Sequence, residues 1–304
     1  MKNIHFFCVV LFIASSSFAA PELIGFREGI CLPDAGNCDL WYGCSPTSAG
    51  MLLGWYDRNG FPDLVPGGEA ETCTFGVIDA IINNSIASTQ HISDYFSAGY
   101  GGSKDDVDTT KRSFNCLADF MGTSQDAYGN SNGLTYFTFY SDNSPCMAEE
   151  LYNLGPDAYG RDGMYGISEY IDYVGYSTAN LYNQLVYGFN GNSAGFSFDQ
   201  YKAEIDAGRG VLIHLKNDQA NVGHTMYGYG YDVIDGNDTI YVYDTLGPAG
   251  QNPGTLIWGD SYFYDDIPLA HYGVTVLEII PEPAAILLLS LGIVFLNKSR
   301  HSSQ

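Results

Sequence analysis

The clearest apolar periodicity in the chain predicts a buried helix near its beginning. Between residues 46 and 57, apolar side chains recur with the i, i+3, i+4, i+7 spacing of one helix face. The residues of this stripe are Ala49, Leu52, Leu53 and Tyr56. Met51 and Trp55 form a second apolar flank, so we expect the helix to be covered on more than one side.

The last third of the chain is typical of a helix followed by antiparallel strands. Ser197 and Gln200 form a capping-box pattern that predicts a helix start, and Gly208 predicts its end. Strand patterns cover residues 211–216, 225–234, 239–245 and 274–280, with a turn at 235–238. Residues 122–195 are rich in Gly, Asn, Ser and Tyr and predict loops. Because no repeat or linker divides residues 20–280, we predict one α+β domain.

Composition and charge describe a folded, acidic protein. Hydrophobic residues make up 45% of the 304 residues and aromatic residues 14%, which is typical of a protein with a packed core. The formal net charge of −23 argues against nucleic acids and anionic membrane surfaces as partners, since both would repel the chain.

Both ends of the chain have the features of targeting segments. Residues 1–19 combine Lys2, an apolar run and the small-x-small sequence Ser17-Phe18-Ala19, which predicts an export signal. At the other end, Pro281-Glu282-Pro283 is followed by an apolar run from Ala284 to Leu296 and then by basic residues. That run is about 20 Å long as a helix, which is short for a membrane span.

The order of Pro-Glu-Pro, apolar helix and basic end resembles the PEP-CTERM sorting tail of Gram-negative bacteria that make extracellular polysaccharide. The resemblance implies that residues 281–304 anchor the exported chain transiently, until an exosortase-type enzyme cuts near Pro281, and that the product stays at the cell surface or outside it. A plain C-terminal anchor is the alternative. Extracellular polysaccharide is a further partner that the resemblance implies.

Six cysteines remain once Cys8 leaves with the signal, and an oxidising exterior favours disulfides among them. One of the six, Cys44, stands between Gly43 and the predicted helix. A thiolate is the nucleophilic form of cysteine, and a helix N-terminus stabilises that anion. Cys44 is therefore a candidate nucleophile, with a buried structural thiol or a disulfide to Cys38 as the alternatives.

A cysteine nucleophile needs a base, and a third residue that orients the base. Four histidines lie between the predicted signal and the predicted tail. His224 lies at a strand end, whereas His214 lies in mid-strand and His91 and His271 have no evident partner. Asp244 ends the hairpin strand beside His224. A simple ladder would place Asp244 opposite Tyr229, so a bulge or strand twist is needed to bring it to His224.

These residues resemble the papain-like cysteine peptidases in their order Cys, His, Asp. The blocks Trp41–Met51 and Gly223–Gly247 are similar to those of the bacteriocin-processing, double-glycine leader branch, with Ser45 where that branch has glycine. The resemblance covers roughly residues 36–57 and 197–247. It implies a papain-like fold, with a central helix headed by the cysteine and packed on an antiparallel sheet, and a peptide or protein substrate.

The family's oxyanion glutamine is missing, because Cys38 stands where it is expected. Asn37 is the candidate replacement donor, together with the backbone N–H of Cys44. We expect no cofactor and no metal, since the chain has no CxxC pair or HExxH sequence. The acidic run at residues 105–108 lacks the spacing of a calcium loop and predicts a solvated face.

The sequence thus predicts an exported cysteine peptidase with a Cys44–His224–Asp244 triad. It leaves two alternatives open. One is a surface or polysaccharide-matrix protein on the same fold without catalysis, and the other is an amide-transfer enzyme similar to transglutaminases.

Overall fold

The computed structural model describes residues 43–67, 85–91, 115–125, 130, 133–155, 160, 162–245, 254–264 and 266–280. The predicted signal at residues 1–19, the predicted tail at 281–304 and Asn37 lie outside these residues. No helix in the described ranges is both long and apolar enough to cross a membrane.

The described helices lie before and between the strands. They are α1 (Cys44–Arg58), α2 (Leu117–Phe120), α3 (Ala148–Leu154), α4 (Gly163–Tyr173) and α5 (Phe198–Asp206). The helix predicted from the apolar stripe is confirmed as α1. The capping box is confirmed at α5, where the Ser197 side chain accepts from the Gln200 N–H and the Gln200 side chain accepts from the Ser197 N–H.

Eight antiparallel strands form one sheet in the described residues. They are β1 (Cys146–Met147), β2 (Ser177–Leu185), β3 (Val211–Asn217), β4 (Val222–Ile234), β5 (Asn237–Tyr243), β6 (Gly254–Ile257), β7 (Ser261–Tyr264) and β8 (Ile267–Ile280). Their order is β1-β2-β8-β3-β4-β5-β6, and β7 pairs with the beginning of β8. The predicted α+β, papain-like class is confirmed.

The sheet separates two apolar cores because successive strand side chains point to opposite faces. Along β3, Leu212 joins the core that contains α1, whereas Val211 and Ile213 join the core that contains α5. Several hydrogen bonds attach α1 to the sheet, and two of them lie along the helix beyond its first turn. The Ser48 hydroxyl donates to the Thr225 carbonyl at 3.0 Å, and the Tyr56 hydroxyl donates to the Leu277 carbonyl at 2.7 Å.

The prediction of loops throughout residues 122–195 was wrong, because α4 and β2 lie there. Asp162 begins α4 by accepting from the backbone N–H groups of Met164 and Tyr165. Gly166 weakens the helical signal, but a Cβ atom there would lie 2.1 Å from the Phe120 carbonyl oxygen, so glycine lets α4 pack against α2. In β2 the polar pattern conceals a strand whose second half, from Leu181, is mostly buried.

The last strand is longer than predicted. It begins at Ile267 rather than Val274, so His271 lies within β8 and not before it. Pro268 and Gly273 weaken the strand pattern of the sequence, yet Gly273 pairs with Leu185 on one side and with His214 on the other. Tertiary pairing on both sides therefore outweighs the weak local preference.

Candidate active site

Cys44 is the first residue of α1, as the sequence predicted. Gly43 precedes it with φ of 73° and ψ of 153°, and a Cβ atom on Gly43 would lie 2.5 Å from the Gly133 carbonyl oxygen. Glycine is therefore required on both conformational and steric grounds. The Thr47 hydroxyl donates to the Gly43 carbonyl at 2.8 Å and stabilises the first turn. Cys44 therefore lies in the first turn of the helix, where the N–H groups have no partner within the helix and the helix dipole favours an anion.

Cys44 is partly exposed, and its sulfur accepts a hydrogen bond from the β4 backbone. The Thr225 N–H donates to Cys44 Sγ at 3.3 Å, and the Ser45 hydroxyl lies 4.0 Å from the sulfur. Cys44, Cys116 and Cys146 are reduced, so the alternative of a Cys44–Cys38 disulfide is not observed. The predicted disulfides would have to involve the cysteines outside the described residues.

His224 lies next to Cys44 and is held by a main-chain carbonyl. Its Nε2 is 2.5 Å from the carbonyl oxygen of Asp244. A carbonyl oxygen can only accept, so Nε2 carries a proton and the remaining ring nitrogen, Nδ1, is left for the thiol of Cys44. Cys44 and His224 are close enough for each side chain to shift the pKa of the other. His224 is 8% exposed, and so its orientation is set by these contacts.

Asp244 reaches His224 in a different way from the one expected of a triad aspartate. The His224 ring contacts the main-chain carbonyl oxygen of Asp244, whereas the Asp244 carboxylate accepts a hydrogen bond from the Tyr262 hydroxyl at 2.8 Å. The carboxylate still acts on His224 through its negative charge. The predicted residue is thus beside the histidine, but the atom that orients the imidazole belongs to the backbone.

Two features of the β4–β5 hairpin bring Asp244 within reach. The turn consists of Asp235 and Gly236, both with positive φ, and is therefore shorter than the four-residue turn that the sequence predicted. A bulge between Gly228 and Gly230 moves the register by one further residue. Tyr243 consequently pairs with Tyr227, which places Asp244 near the His224 end of β4.

The electrostatics of the pair favour a thiolate beside an imidazolium. Burial by itself raises the pKa of the Cys44 thiol, but the positive charge and hydrogen bond of His224, with the N–H of Thr225 and the Ser45 hydroxyl, lower it below its ordinary value. Burial also lowers the pKa of His224, but the Cys44 charge and hydrogen bond, together with Asp244, raise it above the ordinary value. Each group stabilises the charged form of the other.

A buried chain of hydrogen bonds supports this pair from behind. Thr275 donates to the side-chain oxygen of Asn183 at 2.5 Å, so it must accept from His214 Nε2 at 2.7 Å. His214 Nδ1 then accepts from the Thr225 hydroxyl at 3.2 Å, and Thr225 in turn accepts from the Ser45 hydroxyl at 2.8 Å. Burial lowers the pKa of His214 to about 3, which keeps the ring neutral, as this chain requires.

Sequence reasoning missed Thr225, Tyr262 and the role of Ser45. Ser45 stands where the double-glycine leader branch has glycine. Its hydroxyl is hydrogen-bonded to the Thr225 hydroxyl, and the backbone N–H of Thr225 contacts the Cys44 sulfur. Threonine is common in strands, so Thr225 beside His224 does not stand out in the sequence. Tyr262 lies 18 residues beyond Asp244, on another strand. Neither carried a signal that could have identified it. Asn37 lies outside the described residues, so its oxyanion role stays a prediction.

A second group of cysteine, histidine and aspartate lies elsewhere in the described residues. His91 Nδ1 is 2.7 Å from Asp119 Oδ1, and the Cys116 sulfur and these two atoms all lie within 4.8 Å of one another. The sequence analysis found no partner for His91. The three residues are at most 1% exposed, so a peptide cannot reach them.

The fold and the site together define a class of protein. A cysteine at the start of the central helix, a histidine on the adjacent strand and an antiparallel sheet are the arrangement of papain-like cysteine peptidases. A family model described as the Peptidase_C39 like family matches residues 31–255, well over half of the chain. The chain belongs to this family. No curated protein matches it significantly.

Proposed function

We propose that the chain is an exported cysteine peptidase that hydrolyses peptide bonds through Cys44, His224 and Asp244. One observation carries the proposal: Cys44 begins a helix, its sulfur accepts from the Thr225 N–H, and His224 beside it lowers the pKa of the thiol. This environment lowers the pKa of a partly exposed thiol. A thiol with these properties is suited to nucleophilic attack.

Acylation begins with the thiolate of Cys44 and protonated His224. The sulfur attacks the carbonyl carbon of the peptide bond, a carbon–sulfur bond forms, and the carbonyl oxygen takes up the negative charge. His224 then donates its proton to the amide nitrogen as the carbon–nitrogen bond breaks, and the amine product leaves. The acyl group remains on Cys44 as a thioester, and His224 is left neutral.

Deacylation uses the same histidine as a base. Neutral His224 takes a proton from water as its oxygen attacks the thioester carbon, and the carbon–sulfur bond breaks. The carboxylic acid product leaves, and the thiolate and imidazolium are restored. Throughout, Nε2–H donates to the Asp244 carbonyl, so the other ring nitrogen, Nδ1, transfers the proton in both steps.

Asn37 and the backbone N–H of Cys44 are the proposed donors to the oxyanion. Replacing Asn37 by alanine should lower kcat by about 10²–10³-fold with little change in KM, because the donor stabilises charge that develops only in the transition state. Steady-state kinetics on the processed protein measure this. An unchanged kcat would remove Asn37 from the mechanism and leave the rest of the proposal intact.

The decisive experiment compares the processed protein with its Cys44→Ala variant on a complex mixture of peptides. Mass spectrometry of new N-termini should report cleavage by the parent and none by the variant, and iodoacetamide should label Cys44 in the parent. Incorporation of an added amine without hydrolysis would instead favour amide transfer. An unreactive Cys44 in folded protein, with no cleavage, would favour the non-catalytic surface protein.

We further propose that the chain is exported through the inner membrane and processed at both ends. The signal-like residues 1–19 and the PEP-CTERM-like residues 281–304 support this proposal, with an exosortase-type enzyme as the processing partner. Mass spectrometry of the protein isolated from its producing cells should find a start at or near residue 20 and an end near Pro281. Intact termini in protein that is at the cell surface would contradict the processing.

A further inference from the structure

We propose that His91, Cys116 and Asp119 form a structural zinc site, separate from the proposed peptidase centre. Their candidate ligand atoms are an imidazole nitrogen, a sulfur and a carboxylate oxygen, and all lie within 4.8 Å of one another. The exposed fractions of the three residues are 0%, 0% and 1%. Three different metal-binding groups thus converge at a point that solvent does not reach.

The geometry is close to that of a zinc site. Ligand atoms of a tetrahedral zinc ion are about 2.0–2.3 Å from the metal, and hence about 3.3–3.8 Å from one another. His91 Nδ1 and Asp119 Oδ1 are 2.7 Å apart, and so need to separate by less than about 1 Å. Cys116 and Asp119 belong to one helical turn, since the Asp119 N–H donates to the Cys116 carbonyl at 3.1 Å. Small side-chain rotations therefore suffice.

The donor set favours zinc over calcium and magnesium. Calcium and magnesium prefer oxygen ligands alone, whereas zinc binds cysteine, histidine and carboxylate together. Binding would proceed with loss of the thiol proton of Cys116 and formation of a sulfur–zinc bond. The two charges of Zn²⁺ would then balance the thiolate and the Asp119 carboxylate, which is a favourable way to bury both anions.

Gln125 is the candidate for a fourth ligand. Its side-chain nitrogen donates to the Asp119 carbonyl at 2.9 Å, which holds the amide beside the cluster. Its side-chain oxygen is buried and has no hydrogen-bond partner in the described part of the chain. The complete burial of the other three residues favours a structural role, because a catalytic zinc ion keeps a position open to substrate.

Zinc at this position would stabilise the layer that supports α1. Cys116, Leu117 and Met121 belong to the same apolar core as Leu52 and Leu53 of α1. A ligand that binds only the folded state raises its stability in proportion to the logarithm of ligand concentration. The proposed ion would therefore stabilise the core beneath the peptidase centre without taking part in hydrolysis.

The test uses the processed protein with Cys44→Ala, without a histidine tag, so that zinc cannot bind at the Cys44–His224 pair. After equilibration with zinc and dialysis, elemental analysis should find one zinc per chain. Cys116→Ser and Asp119→Asn in the same background should lose it. Cys146→Ser is the matched control, because Cys146 is also buried and reduced but outside the cluster, and it should keep zinc.

Two further measurements keep the test decisive. Zinc should raise the thermal midpoint of the parent and of Cys146→Ser but not of Cys116→Ser, and cobalt should give a sulfur-to-metal absorption band with the same pattern. If Cys116→Ser does not fold, His91→Gln takes its place. A parent without stoichiometric zinc, or a folded cluster variant that binds zinc as the parent does, overturns the proposal. In that case the cluster is a buried hydrogen-bonded pair with a neighbouring thiol.

Discussion

Two groups of cysteine, histidine and aspartate lie in the described part of the chain, one at Cys44 and the other at Cys116. They differ in access and in the atom that contacts the imidazole. Cys44 is partly exposed at the start of a 15-residue helix, whereas Cys116 is fully buried before a four-residue helix. His91 contacts the carboxylate of Asp119 directly, but His224 contacts a main-chain carbonyl.

Residue types alone therefore do not identify a catalytic centre. The more familiar histidine–carboxylate contact occurs in the group that no substrate can reach. The group with the weaker resemblance to a triad has the helix N-terminus, the Thr225 N–H and a partly exposed cysteine. Access and the electrostatics at the sulfur therefore distinguish the proposed peptidase centre from the proposed zinc site.

The largest expected effect on activity comes from substituting each of the two cysteines in turn. Cys44→Ala should lower peptide hydrolysis by at least about 10³-fold, because it removes the nucleophile, while Cys116→Ser should leave kcat/KM within about threefold of the parent once zinc-dependent folding is matched. Both rates are measured as new N-termini per unit time. Hydrolysis that survives Cys44→Ala and disappears with Cys116→Ser would reverse the assignment of the two groups.

The next largest effect is expected at the two histidines. His224→Gln should lower kcat/KM by at least about 10²-fold and move the pH midpoint of iodoacetamide labelling at Cys44 upwards, since the opposing positive charge is lost. His91→Gln is the control and should leave the labelling midpoint unchanged. An unshifted midpoint in His224→Gln would mean that the helix start and Thr225, rather than His224, lower the pKa of the thiol.

The pH dependence of the parent follows from the same pair. The pKa of Cys44 is lowered and that of His224 is raised, so the thiolate–imidazolium form exists between the two values. Activity should rise as Cys44 loses its proton below its ordinary pKa of 9.0 and fall as His224 deprotonates above its ordinary pKa of 6.5. A kcat/KM profile gives both limbs, and activity that rises only near pH 9 would contradict the ion pair.

A smaller effect is expected at Asp244. Its carbonyl holds His224, so Asp244→Asn keeps that contact and removes only a negative charge. We expect a loss of about tenfold in kcat, in contrast to the about 10⁴-fold loss when the carboxylate of a serine-peptidase triad is replaced by an amide. Tyr262→Phe should cost less than Asp244→Asn. A loss near 10⁴-fold would show that the carboxylate orients the imidazole during catalysis.

The smallest effect concerns stability in acid. Burial lowers the pKa of His214 to about 3, whereas an exposed histidine has a pKa of 6.5. Between these two pH values, His214 is protonated in the unfolded chain but neutral in the folded one. Stability is therefore lost as the pH falls from about 6.5 towards 3. His214→Gln should reduce this loss by roughly 2 kcal/mol between pH 6.5 and 4.5, relative to the parent, in urea unfolding. Parallel pH curves for parent and variant would contradict it.

The fold could be predicted in those places where neighbouring residues determine structure. The apolar stripe of α1, the capping box of α5 and the strand runs of β3, β4 and β5 each depend on residues a few positions apart. Where glycine or polar residues weaken the local pattern, as in α4 and β2, the sequence predicted loops and was wrong. Those elements form because packing against α2 and pairing with β8 outweigh the local preference.

The candidate site likewise has parts that local sequence patterns predict and parts that depend on tertiary contacts. The sequence alone determined that Cys44 begins a helix, that His224 lies on a strand and that Asp244 lies at the end of the next one, since each follows from local pattern. Only the tertiary structure decided that a two-residue turn and a bulge bring the Asp244 carbonyl to His224, and that Thr225, 181 residues away, contacts the Cys44 sulfur. It alone brought His91 to Asp119, because contacts between distant residues depend on how whole elements pack and no local pattern encodes them.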